Sequence, residues 1–193
     1  MTDIMSESVL DPRSLGQPSL HKPANPQGKV QEGEAASLVA WIELFFFAYR
    51  DFTCEPDAIL AQYGFGRAHH RVLHFVQRNP GLNVANLLEI LKITKQSLAR
   101  VLKQLVDEGF IIQRAGDVDR RERRLYVSAK GGRLTDKLTR IQVKRFEEAL
   151  SKAGPGADAL TRRFLFAMIT DKDRPYVEAL IEGAARNSGV PLE

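Results

Sequence analysis

One cysteine, Cys54, is the whole thiol content of the 193-residue chain. That scarcity rules out a disulfide framework within the chain and leaves no ligand set for a zinc finger. Long apolar runs are also missing. The most apolar window, LVAWIELFFFAY, is too short to span a bilayer and is broken by Glu43. The opening MTDIMSESVLDP lacks the basic stretch followed by an apolar one that marks a secretory signal, so a cytoplasmic protein without a membrane partner is expected. The residue patterns of common enzyme sites are absent as well. There is no G-x-S-x-G elbow, no phosphate loop ending in G-K-[ST], no G-x-G-x-x-G after a strand and no H-E-x-x-H. Gly64-Phe65-Gly66 is only a helix entry, and neither an enzyme nor a cofactor is expected.

What the chain does contain is concentrated between Asn83 and Gly132. A short apolar segment (NVANLLEIL) is followed by a tight turn (KIT), a longer segment (TKQSLARVLKQLVDEGF), a strand (IIQR), an arginine-dense loop (AGDVDRRERR) and a returning strand (LYVS). Val84, Leu87, Leu88 and Leu91 repeat at helical spacing, as do Leu98, Val101, Leu102 and Leu105, so two short amphipathic helices face one core. Thr94 can cap the second helix with its hydroxyl, and Gly109 can end it. Lys95, Gln96, Ala99, Arg100 and Lys103 are then left on the outer face, with Ser97 near its edge. A helix that reads the major groove needs this arrangement, because its first turn presents side chains that pair with base edges while its positive end favours phosphate.

The hairpin adds a second signal. Arg114, Arg120, Arg121, Arg123 and Arg124 fall within eleven positions, interrupted by Asp117, Asp119 and Glu122. An arginine at a hairpin tip can enter a narrow minor groove while its neighbours meet phosphates, and Asp119 could hold one in a set orientation. A charged hairpin can also be simply a solvated one, but directly behind a helix-turn-helix the DNA wing is the stronger reading. The net charge of +4 suits a polyanionic partner, and the clustering of arginine is more informative than the total.

These residues resemble the MarR family of winged helix-turn-helix transcriptional regulators. The likeness lies in the run from Thr94 to Gly109 and Phe110, in Asp119-Arg120-Arg121 of the wing, and in Leu125-Tyr-Val-Ser-Ala-Lys-Gly131, which is similar to the family's V-x-L-T-x-x-G. It covers about the central half of the chain. The resemblance implies a largely helical homodimer that binds a pseudo-palindromic double-stranded operator and often answers to a small-molecule effector. It also implies that Arg120 and Arg121 reach the minor groove, with Asp119 as their brace. The family often carries a further acid three positions before the wing's D-R-R, where this chain has Gly116.

Around this unit the spacing predicts a helical frame, so the expected fold is mainly α with a small β-hairpin wing: a winged helix-turn-helix plus a helical dimerisation region. Residues 1–35, rich in Pro, Gly, Ser and Gln, read as a flexible tail. Residues 36–66 read as a dimerisation helix with its connector, 67–128 as the DNA-binding domain, and 129–193 as further helices for dimerisation. The segment from Ala36 to Phe52 is apolar almost all round and must be enclosed, by a partner subunit or as a central core helix. Arg67 to Arg78 should form the helix leading into the reading unit, and three more should follow at Lys130–Lys152, Ala157–Thr170 and Arg174–Arg186.

His70 and His74 stand at i, i+4 on that leading helix, a spacing that can clasp a metal, but no Cys or His of similar quality lies nearby and no metal is expected. The preferred reading places one or more of His69, His70 and His74 beside the dimer helix or in an effector cavity, with Phe46, Tyr49, Phe52, His70 and His74 as its candidate lining; the aromatics are equally the stuff of an ordinary core. Asp51, Glu55 and Asp57 around Cys54 disfavour a reactive thiolate. The candidate DNA contacts are Thr94, Lys95, Gln96, Ser97, Arg100 and Lys103 on the helix and Asp119, Arg120, Arg121 and Arg123 on the wing. A winged-helix module that binds another protein, without specific DNA recognition, is the alternative. The operator, the effector and the choice between repression and activation are not written in the sequence.

Overall fold

The computed structural model describes residues 26–116 and 121–188, with side-chain surroundings over 37–116 and 121–184. Two compact units divide inside the first helix, residues 1–46 and 47–193, and each is taken on its own. The described elements run α1 (Pro26–Ala61), α2 (Arg67–Arg78), α3 (Val84–Leu91), α4 (Lys95–Asp107), β1 (Ile111–Ala115), β2 (Arg123–Val127), α5 (Ala129–Ala153), α6 (Ala157–Ala167) and α7 (Arg174–Ser188). The fold is therefore mainly α with one antiparallel hairpin.

Helix α1 departs from expectation at both ends. It starts at Pro26 rather than Ala36 and continues past Phe52 to Ala61. Composition misled at the first end, because Gln, Glu, Lys and Ala make polar sequence yet are strong helix formers, and a proline in the first turn gives up only a donor that no helix uses. At the other end Pro56 sits inside the helix. The Thr53 hydroxyl turns back onto the Tyr49 and Arg50 carbonyls, at 3.0 and 3.1 Å, in the turn just before it. Within the first unit Leu38, Val39, Trp41, Ile42, Leu44, Phe45 and Phe46 are all exposed. The expectation for residues 1–25 lies outside the described residues.

The second unit holds the core. Val72, Leu73 and Val76 of α2, Leu87 and Leu91 of α3, and Leu98, Val101, Leu102 and Leu105 of α4 are buried together with Phe110, Ile111 and Leu125. These are the periodic apolar positions of the sequence. The α3–α4 turn is made possible by Lys92, which adopts the left-handed conformation (φ 50°) as the C-cap of α3. Thr94 then caps α4, its Oγ1 accepting the Ser97 N–H at 3.1 Å. At the other end Gly109 takes φ 75°, which a side chain would strain, and the chain turns into β1.

Strands β1 and β2 pair with Ile111 opposite Val127 and Ala115 opposite Arg123. Arg123 and Arg124 thus belong to a strand, not to the loop where the sequence reading put them. Residues 81 and 82 join the free side of β2, with Gly81 N–H donating to Leu125 O and Leu125 N–H to Leu82 O, both at 2.9 Å. The hairpin is fixed to the approach to α3 as well as to the end of α4.

Helix α5 closes the unit by capping α4. Lys130 Nζ donates to Glu108 O at 2.8 Å, Ser128 Oγ to Gly109 O at 2.7 Å, and Ser128 N–H to Phe110 O at 3.0 Å. Three carbonyls that follow a helix end are so satisfied by one short segment. The approach demands glycine: a Cβ on Gly131 would lie 2.2 Å from Phe110 O and 2.7 Å from a Val127 methyl. Leu134 and Leu138 continue the contact into the core.

Gly131→Ala should therefore destabilise the protein by about 2 kcal/mol or more, since the neighbour is backbone and cannot step aside. Urea unfolding of the variant beside Gly132→Ala, where an added Cβ meets nothing within 4 Å, checks this; equal stability of the two would refute it.

Candidate nucleic-acid interface

The first turn of α4 is presented to solvent. Lys95, Gln96, Ser97, Ala99, Arg100 and Lys103 are all exposed, because Leu98, Val101, Leu102 and Leu105 take up the inner face. Thr94 and Ser97 are engaged with each other: besides the cap, the Thr94 hydroxyl donates to Ser97 Oγ at 2.9 Å. They set the helix start, and Gln96 and Lys95 project from it. Lys103 pairs with Asp107 one turn on, an exposed ion pair of small net value that a phosphate can displace.

Of the wing residues, Asp119 and Arg120 lie outside the described residues. Arg121 and Arg123 are exposed. Arg114 lies with its guanidinium carbon 5.1 Å from the centre of the Tyr126 ring, a cation–π contact across the hairpin. Glu122 was not among the candidates, yet among the described residues it is tied at three points. Its carbonyl accepts from Gly116 N–H at 3.0 Å. Its carboxylate takes a 2.7 Å bond from Asn83 Nδ2 and sits 3.5 Å from Arg124 Nε. That second pair is close enough for an ionic contact but not aligned as a hydrogen bond, and the buried Arg124 Nε has no hydrogen-bond acceptor.

The candidate effector residues come together only in part. Tyr49, Phe52, His70 and His74 line one cavity of about 420 Å³, with Thr53, Asp57, Arg67, Arg71, Phe75 and Gln142. Phe46 belongs to the first unit and is 65% exposed there. His69 does not face the cavity. It stacks on Phe65 with centroids 4.7 Å apart, and its Nε2 is 2.9 Å from Gln104 Oε1, so it tethers α2 to α4. Among the described residues no group of three His, Cys, Asp or Glu side chains is placed to hold a metal.

The cavity lining carries Arg67, Arg71 and Asp57 beside the two imidazoles. Arg67 bonds Asp57 at 2.8 Å and lies over the Tyr49 ring. Arg71 Nη2 donates to Leu91 O at 3.0 Å, joining the cavity to the turn of the helix-turn-helix. Burial pushes the His70 imidazole below its ordinary pKa against the opposing pull of Asp57. Burial also pushes His74 down, to about 4, helped by His70 and Arg78. Sequence could not have found Asp57, Arg67, Arg71 or Gln142, which meet only because α1, α2 and α5 pack together.

Because His74 stays neutral in the native protein well below the pH at which an unfolded chain protonates it, its burial favours unfolding as pH falls through about 6.5, and the effect stops growing below about 4. Between pH 7 and pH 5 this should cost on the order of 1–2 kcal/mol, less in His74→Leu. A ring-proton titration by NMR checks it directly. A His74 midpoint near 6.5 would contradict the burial argument.

A family model described as the MarR family matches residues 63–122. Among characterised proteins the chain is 47% identical over 139 residues to the HTH-type transcriptional regulator PetP of Rhodobacter capsulatus, covering 72% of this chain and 84% of the relative. Among solved structures it is similar to Streptococcus pneumoniae FabT in complex with DNA, with a TM-score of 0.62 at 14% identity, covering 74% of this chain and 99% of that one. It is also similar to the transcriptional regulator SlyA, with a TM-score of 0.57 at 20% identity, covering 72% and 98%. With 47% identity over the 139 residues aligned to a regulator of which it covers 84%, and with the winged helix in place, this chain belongs to the MarR family of winged helix-turn-helix transcriptional regulators.

Proposed function

We propose that the protein acts in the cytoplasm as a homodimer that binds a pseudo-palindromic double-stranded DNA operator and releases or tightens it on meeting a small effector. The observation that carries this reading is the exposed first turn of α4, where Lys95 and Gln96 project beside an arginine hairpin. Gln96 is the base reader, able to pair with both N6 and N7 of adenine, while Lys95, Arg100 and Lys103 meet phosphates or guanine. Arg120 and Arg121 supply the minor-groove contact, with Arg123 at the flanking backbone and Asp119 as the brace. FabT, whose fold is similar, holds DNA in its crystal. A winged helix used only to bind protein has no need of this row of cations, which argues against that alternative.

Dimerisation is supported by the apolar surface that one chain leaves open. Trp41, Phe45 and Phe46 on the first unit, and separately Leu160 and Phe164 on α6 with Met168 at its C-cap, are large and exposed. A partner subunit would remove such surface from water. Effector response is supported by the cavity and by the Arg71 bond to the α3 carboxyl end. An anion that draws Arg71 inward would free Leu91 O and loosen the turn that aims α4. Two reading heads held at a fixed separation convert such a change into lost affinity.

Selection of bound fragments from random duplex DNA, followed by anisotropy titration across salt concentrations, tests the function. A palindromic consensus bound two chains at a time is expected, and a weak affinity indifferent to sequence would shift the reading to the protein-interaction module. Arg120→Ala and Arg121→Ala should each weaken binding and lower the salt slope by about 1. Gln96→Ala should cost about 1–3 kcal/mol on the preferred sequence and little elsewhere; an equal loss on every sequence would remove its role as a base reader.

A further inference from the structure

Glu122, the acid among the described hairpin residues, has more to do than dilute the charge of the wing. It stands between Arg121 and Arg123, two exposed cations that would attract DNA. Left in water, such a carboxylate would only weaken phosphate binding. Here it is half-buried and reaches a different element of the fold. Oε1 accepts from Asn83 Nδ2 at 2.7 Å, and Asn83 is the N-cap of α3, its own Oδ1 accepting the Asn86 N–H at 2.9 Å. Asn83 is thus used at both ends of its amide, one on the first helix of the reading unit and the other on the wing. Oε2 faces Arg124 Nε, and the Glu122 carbonyl closes the hairpin against Gly116.

We propose that Glu122 is a positioning residue for DNA binding: a strut that sets the direction of the wing arginines by fastening the root of the hairpin tip to the N-cap of α3. This rests on the wing contact described above. The bond is charge-assisted, so it is short and directional, and the positive end of α3 strengthens it. Two main-chain bonds at Gly81 and Leu82 hold β2 lower down, whereas Glu122 holds it just where the strand gives way to the tip. Without that bond β2 would lose its side-chain tie above Leu125, and Arg121 and Arg123 would be less firmly placed for binding, at a cost in entropy.

The strut gives a sign opposite to that of simple electrostatics. Removing an acid beside DNA ordinarily tightens binding to every duplex. If Glu122 is a strut, Glu122→Ala in the full-length protein should weaken binding to the selected operator by about tenfold while binding to scrambled duplex stays the same or tightens. Glu122→Gln keeps an acceptor for Asn83 and sheds the charge, so it should bind the operator at least as well as the unaltered protein. Asn83→Ser keeps the helix cap but is too short to reach the wing; it should repeat the operator loss, and the double variant with Glu122→Ala should lose no more than either alone. Thermal melts confirm that each variant is folded. If Glu122→Ala binds the operator as tightly as Glu122→Gln, while Arg121→Ala still weakens binding, the strut is overturned and the wing reading stands. An Arg121→Ala protein that binds like the unaltered one sinks the wing contact and the strut with it.

Discussion

The close approach of the first turn of α5 to the Phe110 backbone is the constraint on which the reading unit depends. Gly131 has no Cβ, and this lets α5 lie directly against the peptide that links the recognition helix to the wing. Ser128 and Lys130 can then satisfy the carbonyls at the end of α4, and Val127 can sit opposite Ile111 to start the hairpin register. The direction of α4, the root of the wing and the start of the long helix are one packed junction. Phe110, fully enclosed, is its hub, with Phe65 and Tyr63 edge-on to its ring and Lys130 above it.

From that junction two ties run outward. One passes through Phe65 and His69, where the imidazole joins α2 to Gln104 on α4. The other passes through Arg71, which reaches from the cavity to the last carbonyls of α3. Both come from α2, so the helix that leads into the reading unit also holds it from behind. In the proposed effector response, a movement of α2 against α1 and α5, the walls of the cavity, would be passed to both helices of the helix-turn-helix. The histidines fit this arrangement differently from one another: His69 is structural, whereas His70 and His74 face the cavity, where burial lowers the pKa of both.

The wing obeys a different logic. Its cations repel one another, and a hairpin made only of arginine would splay. Arg114 is drawn back over Tyr126, and Arg124 is held at Glu122. Arg121 and Arg123 are exposed. Acids in such a segment therefore direct charge as well as reducing it.

The parts of this protein that follow from local periodicity were legible without coordinates. The inward leucines of α3 and α4, the Thr94 cap, the left-handed Gly109 and the bounds of α2 depend on neighbours one to four positions away, and sequence spacing encodes such relations directly. Asn83 was legible only as the first residue of an apolar helix, whereas it is the cap before it. Helix α1 was underestimated because polar composition hides helix propensity at its start, and at its end it runs on through Pro56. The cavity lining and the Asn83–Glu122 bond were decided by tertiary structure alone. They join residues up to 93 positions apart, from Tyr49 to Gln142, and a charged side chain carries no local mark of which distant partner it will meet. Periodicity fixes which face of each helix turns inward, but only packing decides which two outer faces end up side by side.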